Sequence, residues 1–165
     1  MNPSLLSNRY QVSVLREADI PELLSLCQGN PKFYHHCPPA PSEESLRADM
    51  LALPRGKSME DKFYLGFRKD GKLAAVLDLI LRYPNDQTAF FGFFMLRADL
   101  QGRGVGSSLI SEILSGLSSE YRAVRLGYVK GNEQSQHFWQ KNSFLPTGVV
   151  VPTESYEIII MEREL

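Results

Sequence analysis

Gln101-Gly102-Arg103-Gly104-Val105-Gly106 sets three alternate glycines at the entrance to a segment of helical periodicity, and that combination binds anions. Glycine lets a backbone approach its guest closely and turn through positive φ. The first amides of a helix have no partner within it, so they face the guest along with the positive end of the helix dipole. A diphosphate is the expected guest, and Ser107, directly after the last glycine, offers it a hydroxyl. Two other glycine loops do not fit. The dinucleotide fingerprint requires G-x-G-x-x-G with an acidic residue about 20 positions later, whereas this chain reads G-x-G-x-G and carries Arg122 and Arg125 in that region. The Walker loop requires Gly-Lys-Ser/Thr, which is missing here.

The loop needs a strand before it and a helix after it. Thr88 to Leu96 is rich in β-formers, with Phe90, Phe91, Phe93 and Phe94, and reads as a buried strand. Gly92 inside it marks a bulge, a close backbone approach or a packing glycine opposite a large side chain. Val105, Leu109, Ile110, Ile113, Leu114 and Leu117 recur at helical spacing and form one apolar stripe. Upstream, Tyr10 to Leu15 alternates as a strand, Asp19 and Pro21 open a helix to about Gln28, and Pro31 to Pro41 reads as a proline-rich loop. Ser42 caps a second helix with Glu43 and Glu44 in its first turn. Phe63 to Arg68 and Lys72 to Arg82 flank Asp70-Gly71, the signature of a two-residue hairpin. After the loop helix come a strand at Ala123 to Val129, a helix at Asn132 to Asn142, and strands at Phe144 to Val151 and Ser155 to Arg163. The expected class is α/β of the α+β type: a mixed, mainly antiparallel sheet with helices on both faces, in one domain spanning 1–165.

Composition narrows the function classes. The 18 basic and 19 acidic residues leave a net charge of -1, which gives no global attraction to nucleic acid or anionic lipid. No run approaches a membrane span and the N-terminus lacks a signal pattern, so no membrane partner and a cytoplasmic location are expected. Cys27 fits an apolar helix face and Cys37 a loop, which favours no disulfide. His35-His36-Cys37 lacks a converging partner at metal-ligand spacing, so it reads as exposed loop and no metal is expected.

A second motif lies about thirty residues after the loop. Gln101 to Gly106 has the form Q-x-x-G-x-G, and Asn132 to Phe144 follows the pattern Asn-x-x-Ala-x-x-Phe-Tyr-x-Lys-x-Gly-Phe at Asn132, Phe138, Lys141 and Phe144, departing at Ser135, Trp139 and Ser143. Together these resemble the GCN5-related N-acetyltransferases. The resemblance spans about 63 to 163 and implies an acyl-CoA N-acyltransferase fold whose strands at 88–96 and 123–129 splay apart to admit the pantetheine arm. It implies that acetyl-CoA lies on the loop residues Gln101, Gly102, Arg103, Gly104, Val105, Gly106 and Ser107. Met95 and Leu96 would lie beside the thioester, and Asn132, Ser135, Phe138 and Trp139 beside the arm. The acceptor implied is a primary amine of a small molecule or peptide, held between the Phe33-Tyr34-His35 segment and the Tyr83 turn, by a monomer or homodimer.

Acetyl transfer to an amine faces a proton problem. Neutralising an amine of pKa about 10.4 at pH 7 costs about 4.6 kcal/mol, which a base or desolvation must supply. The thiolate that leaves gains from an acid, and the carbonyl oxygen from a backbone amide, here expected from Met95 or Leu96. Members of the resembled family often place a glutamate on the strand before the loop and a tyrosine where this chain has Trp139. No carboxylate occurs between Thr88 and Leu96, and indole donates a hydrogen bond without transferring a proton. The substitutes are Asp78, alone within Leu73 to Leu81, and Tyr128. Asp78 also reads as a solvated edge carboxylate or a partner of Arg82, and Tyr128 as a half-buried strand aromatic. A non-catalytic acyl-CoA-binding or sensing protein is therefore the alternative function.

Overall fold

The computed structural model describes residues 1–165. Seven strands form one mixed sheet: β1 (Gln11–Val14), β2 (Lys62–Lys69), β3 (Lys72–Ile80), β4 (Thr88–Leu96), β5 (Ala123–Val129), β6 (Leu145–Pro152) and β7 (Glu157–Glu164), in the order β1-β2-β3-β4-β5-β7-β6. Every neighbouring pair is antiparallel except β4 and β5. Five helices cover it: α1 (Ile20–Gln28), α2 (Pro31–His36), α3 (Glu43–Leu51), α4 (Val105–Leu117) and α5 (Glu133–Lys141).

Local chemistry explains most boundaries. Asp70 and Gly71 both take positive φ, 52° and 74°, which matches the twist of a two-residue hairpin between β2 and β3. Ser42 caps α3 by accepting from the Ser45 amide, while the Ser45 hydroxyl accepts from the Ser42 amide. One expectation is corrected at Pro31. Proline suits the first position of a helix, where its missing N–H costs nothing, so the anticipated loop begins with the short helix α2.

Alternation along β3 divides the interior in two. Ala75, Leu77 and Leu79 face Leu109, Ile110, Ile113 and Leu117 of α4, in a large core that also takes in Val124, Leu126, Tyr128 and Trp139. Val76 points to the other face, under Leu23 and Cys27 of α1 and Leu46 of α3. Full burial of each aliphatic side chain contributes about 1.5–3 kcal/mol, so both faces hold their helices by the same means.

β4 is the irregular strand. Its pairing with β3 joins Asp78 to Phe93 and Leu79 to Phe91, leaving Gly92 as a bulge. Its parallel pairing with β5 runs from Thr88↔Ala123 to Phe91↔Leu126 and stops there. From Gly92 onward β4 and β5 diverge, and Trp139 closes the wall beneath the gap, packed against Phe91, Phe94, Phe138 and Phe144 at centroid distances of 6.4, 5.9, 4.9 and 5.2 Å. Trp139 is 7% exposed. Trp139→Ala should cost about 3–5 kcal/mol in denaturant unfolding, and Trp139→Phe clearly less because the aromatic wall is kept.

Candidate functional site

The glycine loop is open where a guest would lie. Gly102 and Gly104 take φ of 72° and 77°, and a Cβ built on either meets nothing within 4 Å. These positions need glycine for backbone conformation and leave free space above it. Gly104 precedes α4, whose first intrahelical bond runs from the Ser108 amide to the Gly104 carbonyl at 3.0 Å, so the amides of Val105, Gly106 and Ser107 are left for a guest. Gly106 serves packing instead, since a Cβ there would sit 3.0 Å from the Phe138 ring. The Ser107 hydroxyl accepts from Asn142 at 3.2 Å and keeps its own proton to donate. Arg103 is exposed.

Gln101 departs from expectation. Its side-chain amide donates inward to Asn30 Oδ1 at 2.6 Å and to the Leu96 carbonyl at 2.9 Å, so it braces the loop rather than facing a phosphate. Asn132 caps α5, its Oδ1 accepting from the Ser135 amide at 3.1 Å. Phe138 stacks on Phe94 with centroids 5.9 Å apart.

The gap between β4 and β5 exposes backbone donors. The Arg97 amide bonds the Ala74 carbonyl at 2.8 Å on the β3 side. Backbone direction alternates along a strand, so Leu96 faces the opposite edge, where its carbonyl is held by Gln101 and Asn30 and its amide points into the gap. The two expected donors are thereby separated: Leu96 offers its amide to the gap, and the Met95 amide turns back to β3 opposite Val76.

A cleft of about 1060 Å³ runs through this gap from one face of the sheet to the other. Tyr128 and Trp139 line it from the α4–α5 side, and Asp78, Tyr64 and Phe93 from the α1–α3 side. Asp78 and Tyr128 therefore reach the same opening from opposite faces. The Tyr128 hydroxyl makes no hydrogen bond within the protein.

Asp78 is neither at a solvated edge nor paired with Arg82. It is 9% exposed, and its Oδ2 accepts from Lys62 Nζ at 2.8 Å. Lys62, its side chain 1% exposed, gives a second hydrogen bond to the Ala52 carbonyl at 2.8 Å. Arg82 leaves the strand in a left-handed conformation, φ 54°, and pairs with Asp61. Asp78 Oδ1 has no partner. Burial raises its carboxyl above the usual range, Lys62 pulling the other way and Asp49 adding to the rise. A Cβ on Gly92 would lie 2.6 Å from Asp78 Oδ2, so this carboxylate occupies the space that a side chain at position 92 of β4 would take.

The remaining sequence candidates fall as follows. Phe33 and Tyr34 line the cleft, whereas His35 borders a smaller polar groove with Lys32, His36 and Asn132. Tyr83 packs edge-on against Phe90, 5.4 Å between centroids, and does not line the cleft. No three His, Cys, Asp or Glu side chains converge, and Cys37 Sγ lies 3.3 Å from the Tyr156 hydroxyl. That contact, with burial, pushes the Tyr156 phenol up to about 12. Sequence reading missed Lys62, Tyr64 and Asp49; the hairpin turn was the signal for the first two. A bulge at Phe67/Arg68 hides them, because a regular two-residue hairpin sets Phe63, not Tyr64, opposite Asp78.

Comparison with known proteins came to a family and a fold. The family model described as Acetyltransferase (GNAT) family matches residues 26–144. No curated protein matches the chain. An acetyltransferase from Thermus thermophilus is 20% identical with a TM-score of 0.75, covering 94% of this chain and 97% of the other. A ribosomal L7/L12 alpha-N-protein acetyltransferase in complex with coenzyme A is 16% identical with a TM-score of 0.70, covering 97% and 96%. The ribosomal-protein-S18-alanine N-acetyltransferase from Escherichia coli is 17% identical with a TM-score of 0.67, covering 94% and 93%. At these identities the structures share the fold of this chain, a seven-stranded mixed sheet with helices on both faces. No helix is long and apolar enough to cross a membrane.

Trp139 is the chain's one tryptophan and lines the cleft, so its emission should shift saturably on titration with acetyl-CoA or coenzyme A. Gly104→Asp should weaken that binding at least tenfold by calorimetry with the fold intact, because a side chain and a negative charge then fill the cradle.

Proposed function

The chain belongs to the acetyltransferase (GNAT) family, and on that basis we propose that it is an acetyl-CoA-dependent N-acetyltransferase, a single domain that acts on a primary amine of a small molecule or peptide. The residues present suit the cofactor. Open glycines at 102 and 104 and the free amides of α4 match a diphosphate, and the β4–β5 gap matches an extended arm. When bound, acetyl-CoA supplies an acetyl group activated as a thioester. Met95, Leu96, Asn132, Phe138 and Trp139 form the walls that hold that arm, and Ser107 adds a hydroxyl at the phosphates.

The observation that carries the reading is the position of Asp78. Its carboxylate reaches from β3 across Gly92 and supplies the acid group that β4 lacks, with Oδ1 left without a hydrogen-bond partner in a residue that lines the cleft. In the proposed reaction Oδ1 takes the proton of the attacking amine, the nitrogen bonds to the acetyl carbon, and the carbon–sulfur bond breaks to release a thiolate. The Leu96 amide stabilises the charge on the carbonyl oxygen. Tyr128, which lines the gap from the other face, would protonate the sulfur, and Trp139 lines the cleft on that same face. The similar structures named as ribosomal-protein N-acetyltransferases support an amine acceptor without naming this one.

Thiol release from acetyl-CoA in the presence of an amine panel tests the reading directly. Asp78→Asn should lower kcat by about 10²–10⁴. Because it also leaves Lys62 buried beside a neutral group, Gly92→Ala is the cleaner variant: both charges stay, the carboxylate is displaced, and kcat should fall while acetyl-CoA affinity holds. The rate should rise with pH through the raised pKa of Asp78, since the protonated carboxyl cannot accept the amine proton, and this limb should vanish in Asp78→Asn. Saturable acetyl-CoA binding with no thiol release for any amine contradicts the enzyme reading and leaves a binding or sensing protein.

A further inference from the structure

The α1–α3 side of the cleft contains groups that the reaction above does not use. Tyr64, Asp78 and Phe93 are cross-strand partners in succession, so their side chains form one row across β2, β3 and β4 on the same face. Phe33 of α2 meets this row edge-on, 5.5 Å from Phe93 and 5.0 Å from Tyr34 between centroids, which gives an aromatic wall. Asp49 of α3 lines the same cleft and makes neither hydrogen bond nor ion pair. Among all buried side-chain polar atoms, two lack a hydrogen-bond partner: the Tyr64 hydroxyl, in a residue only 3% exposed, and Asp78 Oδ1. Both belong to residues that line this pocket. Leaving a buried polar atom unsatisfied costs about 1–3 kcal/mol, so two in one pocket mark where a ligand makes its hydrogen bonds.

The charge of the pocket defines that ligand further. Two carboxylates, Asp49 and Asp78, stand against one ammonium, Lys62, whose protons already serve Asp78 and the Ala52 carbonyl. Of the cleft's other lysines, Lys141 is on α5, and Lys32 of α2 also borders the polar groove at Asn132 to Gln134. An amine that carried its own carboxylate would meet two like charges here, with the Lys62 ammonium already held by Asp78 and the Ala52 carbonyl. Aromatic rings and an unpaired carboxylate suit instead a methylene chain ending in a second positive charge.

We infer that this pocket is the acceptor subsite and that it takes diamines, the reacting nitrogen meeting Asp78 Oδ1 and the Tyr64 hydroxyl, the methylene chain lying on Phe33 and Phe93, and the distal ammonium meeting Asp49. The inference rests on the transferase reading and adds the substrate class and two specificity-determining residues. Asp49 is open to solvent, so its ion pair is screened and contributes about 1 kcal/mol, a factor of about five.

Cadaverine, hexylamine and aminocaproate share one methylene chain and end in ammonium, methyl and carboxylate, which makes them the test. With the intact protein and acetyl-CoA, kcat/KM per primary amine group should be about fivefold higher for cadaverine than for hexylamine, and lowest for aminocaproate. Asp49→Asn should raise KM for cadaverine with little change in kcat and bring the cadaverine-to-hexylamine ratio to about one. Tyr64→Phe removes a hydroxyl without a partner, so the protein should lose no thermal stability while KM for the amine rises. Equal use of all three amines, a ratio unmoved by Asp49→Asn, or transfer to other amines but to none of these overturns the diamine assignment alone. Transfer to no amine at all, with acetyl-CoA still bound, overturns the enzyme reading and the diamine assignment with it.

Discussion

β4 and β5 share four residue pairs and then separate, and most of the candidate site follows from the backbone this leaves unpaired. A strand with one open edge inside a sheet has amides and carbonyls that must find partners or face water. Here the need is met at Leu96: its carbonyl is held by Gln101 and Asn30, which fixes the end of β4 and the start of the glycine loop, while its amide remains directed into the opening. Aromatic side chains keep the opening from collapsing, Trp139, Phe138 and Phe94 on one face and Phe93 with Phe33 on the other. Gly92 lies where the separation begins, and the bulge there turns β4 away from its neighbour.

The same glycine decides the electrostatics. Any larger residue at 92 would collide with Asp78, so absence of a side chain on β4 allows a carboxylate from β3 to stand at the gap. Burying a carboxylate costs several kcal/mol, which a single lysine on one oxygen offsets without cancelling the rise in basicity caused by burial. That balance suits a base. A second partner on Oδ1 would favour the charged form and lower its basicity, whereas without Lys62 burial would raise it further.

Much of this was legible in the residues. Asp70-Gly71 fixed a hairpin, the alternate glycines a loop before a helix, and Gly92 a bulge or close approach, each because only certain residues tolerate those backbone states. The partner of Asp78 was not legible. It depends on a one-residue bulge at Phe67/Arg68 that exchanges the faces of β2 relative to β3, and nothing in the residue types there announces it. Arg82, near in sequence, is removed by its left-handed turn toward Asp61. The roles of Gln101 and Met95 were likewise hidden, since both depend on which edge of β4 a backbone group faces. Tyr64 and Asp49 emerge only from which polar atoms are left without partners, a property of packing that composition does not carry.

A crystal structure of the protein with acetyl-CoA tests the central claim most directly. The diphosphate should lie on the amides of Gly102 to Ser107, the sulfur between β4 and β5, and the thioester oxygen about 2.7–3.1 Å from the Leu96 amide, with the acetyl carbon open toward Asp78 Oδ1. A diphosphate bound away from that loop, or a thioester lying outside the gap with Asp78 out of reach, would contradict it.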